Sequence, residues 1–123
     1  MKTASIIIIG NEILSGRTQD TNSNYLAKAL VGKGISLEEI RVIPDDYSTI
    51  ENVVNNASTT KDYVFTSGGI GPTHDDITAE AIANCFDAPL VVSDEAVNLL
   101  AMNYKNGKKD LNAARLRMAR IPE

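Results

Sequence analysis

The run SIIIIG, Ser5 to Gly10, decides the fold. Ile6 to Ile9 are consecutive β-branched residues with no polar alternation. A strand with one wet face alternates, whereas a strand buried on both faces has no need to. The run therefore predicts an interior strand of a parallel sheet, ended by Gly10. Reading outward, GNEILSGRTQDTNS (Gly10 to Ser23) is polar, and Tyr25, Leu26, Ala29 and Leu30 recur on one helical face up to Gly34. ISLEEIRVI (Ile35 to Ile43) contains a second strand that stops at Pro44-Asp45-Asp46. Tyr47, Ile50, Val54 and Ala57 mark a second helix, and Asp62 to Thr66 a third strand. Ile77, Ala81 and Cys85 mark a third helix. Pro89 to Ser93 reads as a short extended piece. Ala96, Val97, Leu100 and Tyr104 predict a fourth helix, and Leu111, Ala114, Met118 and Ile121 a fifth, stopped by Pro122.

The order βαβαβα with a helical tail implies an α/β fold, a three-layer sandwich on a mostly parallel sheet with right-handed crossovers. No repeat or linker divides the chain, so residues 1–123 are read as one domain. A sheet of three or four strands is small for this class. The expectation is that further C-terminal strands have been cut away or that a partner covers the last edge.

Hydrophobic content of 43% and charged content of 23% belong to a globular protein. A net charge of −4 without a basic block excludes general affinity for nucleic acid or anionic lipid. Cys85 is the lone cysteine, so no internal disulfide forms, which fits a reducing compartment. SIIIIG is too short to span a membrane or to serve as a secretion signal. A cytoplasmic protein is expected.

In a parallel sheet the connections that follow the strands gather at the carboxyl edge, where ligands of open α/β sheets bind. Three connections qualify: Gly10 to Asn22, Pro44 to Tyr47, and Ser67 to Asp76. The last carries TSGGIGPTHDDIT, Thr66 to Thr78. Gly68, Gly69 and Gly71 permit positive φ and close backbone approach, and their amides can make an anion nest stiffened by Pro72. The alternative is a tight strand-to-helix turn with Thr73 or Asp75 as the helix cap. No lysine follows the glycines as a Walker loop requires, and the third glycine of a dinucleotide fingerprint is missing.

Carboxylates beside a phosphate cost about 4 kcal/mol per pair at about 4 Å and an effective dielectric near about 20. A divalent cation would offset this. Alternatively, Asp75 and Asp76 simply favour a helix start, or hydrogen-bond the amino groups of a ring. One of the two is read as a cap and Asp76 as the group facing a ligand. Asn22 and Ser23 read most simply as caps of the first helix. His74 has no second histidine with which to hold zinc and reads as an exposed loop residue.

TSGGIGPTHDDITAEAIA resembles the signature of the MoCF-like, molybdopterin-binding domain family, with the strongest likeness to the first domain of CinA-type proteins. GNEILSG, DTNSNYLAKAL, IPDD and NAARLRMARIPE fit the same pattern, so the resemblance covers essentially the whole chain. It implies a three-layer α/β fold and a nucleotide or pterin phosphate as ligand, with Glu12, Asn22, Ser67, Gly68, Gly69, Gly71, Pro72 and Thr73 around it. It further implies catalytic or metal-holding roles for Asp45 and Asp76, a divalent metal (Mg, Mn or Co), hydrolysis of ADP-ribose-like pyrophosphates and assembly into dimers or trimers. A binding module without turnover is the alternative. Asn11 stands where many CinA-type sequences have aspartate, which weakens any metal site built on that position.

Overall fold

The computed structural model describes residues 1–123. The chain forms two compact units, Met1–Gly68 and Gly69–Glu123.

The first unit is built on a parallel sheet in the order β2-β1-β3, with β1 at Thr3–Ile9, β2 at Ser36–Ile43 and β3 at Tyr63–Ser67. Ala4 to Ile9 are buried without exception, as the uninterrupted apolar run predicts. Successive side chains point to opposite faces. Ala4, Ile6 and Ile8 pack with Leu30 of α2 (Asn22–Gly32), together with Leu26, Ile13 and Phe65. Helix α3 (Tyr47–Thr60) packs on β1 and β3 and buries Ile50, Val53, Val54 and Ala57. Ser5 is the polar residue of the buried run, and its hydroxyl donates to Glu39 Oε1 of the neighbouring strand at 2.9 Å. Asp46 caps α3, accepting from the Thr49 amide at 3.0 Å and the Thr49 hydroxyl at 2.7 Å.

Tyr25 departs from its expected place. It is 76% exposed, and the inward face of α2 is carried by Leu26 and Leu30. The polar connection after β1 also holds a single helical turn, α1 (Asn11–Leu14), whose Ile13 joins the core.

The second unit contains α4 (Thr78–Cys85), β4 (Leu90–Val92), α5 (Asp94–Ala101), α6 (Ala113–Leu116) and β5 (Arg120–Pro122). The expected fourth helix is shorter at its C-terminal end. Tyr104 lies beyond it, with the Arg115 guanidinium 4.5 Å from its ring centroid. The expected fifth helix is corrected more deeply. After α6 the chain tightens into a 3₁₀ turn at Arg117–Ala119 and then becomes the strand β5, antiparallel to β4. Pro122 is consistent with the extended end of this segment, because it disfavours the helical region at Ile121 and cannot extend a helix itself. Val91 then pairs with Ile121, and the Ser93 and Glu123 amides donate to the Ala119 and Pro89 carbonyls.

Ile50→Ala removes a fully buried side chain from the first unit and is expected to cost about 2–5 kcal/mol in urea unfolding. Ile40→Ala, on an exposed position of β2, should change stability by less than about 0.5 kcal/mol.

Candidate functional site

In the first unit a cavity of about 240 Å³ opens at the carboxyl ends of β1 and β3. Its polar lining comes from Glu12, the segment Thr18 to Asn22 and Ser67, with Ile9, Ile13 and Gly68 completing the wall. Asn22 Nδ2 donates to Ser67 Oγ at 2.9 Å, which ties the start of α2 to the end of β3. Asn22 is therefore no helix cap. The cap position is Thr21, which makes no side-chain cap bond, and the first turn is instead satisfied by Asp20, one residue earlier, whose carboxylate accepts from the Ser23 amide at 3.2 Å and the Ser23 hydroxyl at 2.5 Å. The Glu12 carboxylate folds back over Gly10: a Cβ on that glycine would lie 2.5 Å from Glu12 Oε1. Asp45 is half-buried, and its amide donates to Asn11 Oδ1 at 3.0 Å. The asparagine thus serves a structural contact that an aspartate could make equally well.

Gly68 adopts φ +99°, and a Cβ there would meet the Ile9 carbonyl oxygen at 1.9 Å. Backbone cannot yield to that approach, so glycine is obligatory for closing β3 against β1.

In the second unit the chain from Gly69 to Asp76 folds on itself. Gly69 has φ +67°, its carbonyl accepts from the Thr78 amide at 3.1 Å, and a Cβ would meet Thr78 Oγ1 at 2.1 Å. Asp76 is turned back onto the loop. Its Oδ2 accepts from the Thr73 amide and the Thr73 hydroxyl, each at 2.9 Å, and the carboxylate also accepts from the Gly71 amide. Desolvation raises the Asp76 carboxyl, but the Thr73 and Gly71 donors and the Arg117 charge outweigh it and hold the group below its ordinary value. Neither aspartate caps α4, which begins at Thr78 with Ile77 in the cap position and no side-chain cap. Asp75 and His74 are exposed and lie 3.4 Å apart.

A second cavity, of about 160 Å³, is lined by Gly69, Gly71, Asp76, Arg117 and Arg120 together with apolar Ile70, Ala79, Met118 and Ile121. Glu80 Oε1 lies 3.5 Å from Arg117 and 3.1 Å from Arg120. Sequence reasoning passed over these arginines. Their spacing in RLRMAR suited a solvated helix face, and only the break into β5 brings them to this cavity.

No group of three or more His, Cys, Asp or Glu side chains that could hold a metal ion is present. Asp76 offers a single carboxylate already engaged by three donors. The residues thus form no preformed metal cage, and an ion would take most of its ligands from water and substrate.

A parallel sheet in the order β2-β1-β3 with a glycine turn after its third strand places the chain among α/β folds. The chain belongs to the family described as "Probable molybdopterin binding domain", which matches residues 5–120. It is 39% identical to a solved CinA protein of unknown function from Thermoplasma acidophilum (TM-score 0.83), covering 98% of this chain and 70% of that one. It is also 48% identical over 111 residues to a "Probable FAD synthase" of Caenorhabditis briggsae, covering 88% of this chain and 21% of that protein. The molybdopterin biosynthesis enzyme MoaB of a Thermus species shares the fold at 21% identity (TM-score 0.68), over 95% of this chain and 72% of that one. The chain spans less than half the length of the first curated relatives it matches. No helix is long and apolar enough to cross a membrane.

Gly68→Ala combines an unfavourable positive φ with a backbone clash and is expected to cost at least about 1–3 kcal/mol, read by urea unfolding. Asp76→Asn tests the loop carboxylate. Because the folded pKa is depressed, the stabilisation is present above the unfolded value near about 3.9 and is lost as pH falls through the folded value. Wild type should therefore exceed the variant in thermal stability at neutral pH, and the gap should close on acidification below about pH 4.

Proposed function

We propose that this chain binds a small phosphate-bearing nucleotide or pterin, with a donor-bearing ring or sugar in the cavity lined by Glu12, Asn22 and Ser67. That cavity carries the reading. Its polar lining is two carboxylates, hydroxyls and two side-chain amides, and no lysine or arginine lines it. A phosphate placed about 4 Å from one of these carboxylates would cost about 4 kcal/mol at an effective dielectric near about 20. Ring amines or ribose hydroxyls, in contrast, find acceptors there. The family description and the name of one relative, a "Probable FAD synthase", support a ligand of this class.

Within the second unit, and independently of that cavity, the glycine turn from Gly69 to Thr73, with Pro72 limiting its freedom, is assigned to an anion such as phosphate; Gly68, its neighbour in the first unit, is assigned to the rim of the first cavity. The Asp76 carboxylate now occupies the Gly71 and Thr73 amides, so a phosphate takes them only by displacing it, at the Coulomb cost that applies in the first cavity.

A second reading, divalent-metal-dependent hydrolysis of an ADP-ribose-like pyrophosphate, keeps Asp76 beside the glycine turn as its supporting observation. It assigns Asp45 and Asp76 to holding Mg²⁺, Mn²⁺ or Co²⁺ or to orienting water, each testable by itself. Self-association into a dimer or trimer accompanies both readings.

Calorimetry with ADP-ribose separates them. The binding reading expects heat of binding without added metal and about a tenfold loss of affinity in Asn22→Ala, the worth of one hydrogen bond of about 1.4 kcal/mol. The hydrolytic reading expects AMP release on adding Mg²⁺, Mn²⁺ or Co²⁺, abolished in Asp45→Asn or Asp76→Asn. Absence of ADP-ribose binding under all these conditions would remove both readings for this nucleotide.

A further inference from the structure

We propose that Arg117 and Arg120 are the cationic contacts for a phosphate or pyrophosphate group in the second unit, in the cavity they share with Gly69 and Gly71. The inference rests on the phosphate-bearing ligand proposed above and names the groups that would recognise its charge. Both arginines line that cavity, together with Gly69 and Gly71. One carboxylate oxygen, Glu80 Oε1, serves both of them, at 3.5 and 3.1 Å. Arg117 Nε is buried and has no acceptor, although a buried donor normally has one. The remaining Arg117 contact to the loop is a long one, 3.5 Å from its Nη2 to the Asp76 carbonyl oxygen. Asp76 does not supply the missing acceptor, since its carboxylate is spent on Thr73 and Gly71.

A planar guanidinium with an unused edge donor beside glycine backbone, as at Arg117, is an arrangement that recognises phosphate oxygens, and Arg120, whose Nε donates to the Arg117 carbonyl at 3.3 Å, adds a second positive charge suited to a pyrophosphate. The competing account is an ion triad that only fastens α4 to β5. The two accounts differ over Glu80. In a fastener it is the essential centre, whereas in an anion site it competes with the ligand.

The test uses the 123-residue chain and inorganic pyrophosphate, followed by NMR through the Arg117 Nε–Hε signal and the Gly69 and Gly71 amides. Titration is expected to move all three in wild type. Arg117→Gln and Arg120→Gln should each weaken binding by about tenfold or more, the worth of a charge-assisted hydrogen bond. Glu80→Gln should tighten it. Unmoved signals in wild type, unchanged affinity in both arginine variants, or weaker binding in Glu80→Gln would each overturn the proposal. Should the arginine variants unfold, Glu80→Gln decides alone. Pyrophosphate binding without ADP-ribose binding would remove the nucleotide reading and leave this one. Equal ADP-ribose affinity in wild type and arginine variants would do the reverse.

Discussion

Burial of Ile6 to Ile9 on both faces of the central strand is the constraint on which the first unit depends. A strand with no solvated face must have a neighbour on each edge and a helix on each side. Here β2 and β3 supply the edges, while α2 and α3 supply the covers. Once β1 is enclosed, its carboxyl end can lead only into the connection that carries Asn11, Glu12 and Asp20. The same constraint explains Gly68: the third strand closes so tightly on Ile9 that no side chain fits between them.

Polar residues at this edge serve two masters. Asn22 and Ser67 hold each other, Asn11 holds the Asp45 amide, and Asp20 holds Ser23. Each is a loop clamp and at the same time part of a polar rim or its support. Side chains already ordered by such bonds present themselves to a ligand at little further entropic cost. In the second unit Asp76 has an analogous double character. It satisfies the Thr73 and Gly71 amides and lines the second cavity.

The resemblance drawn from TSGGIGPTHDDIT and GNEILSG agrees with the matched family and with the CinA fold. The parallel order and the location of the first cavity at the sheet's carboxyl edge were also legible, because they follow from hydrophobic period and chain connectivity alone. Less legible were capping roles. Asn22, Ser23, Asp75 and Asp76 all have the right chemistry for a helix start, and only the path of the chain selects Asp20 for one helix and leaves the other uncapped. Tyr25 was misplaced for a related reason: four residues at helical spacing define a stripe, but its edge is set by how the helix is rotated on the sheet.

What the amino-acid sequence determined by itself was whatever depends on neighbours along the chain: a doubly buried strand, the helical periods, a glycine turn that side chains cannot enter. Tertiary structure alone decided what depends on distant partners. It turned the end of the C-terminal apolar spacing into a strand, where Val91 offers Ile121 a ladder partner. It thereby set Arg117 and Arg120 beside Glu80 and the glycine turn. Charges some forty residues apart in sequence act on one another only through space, and the strand register that joins them is set by packing rather than by any local pattern.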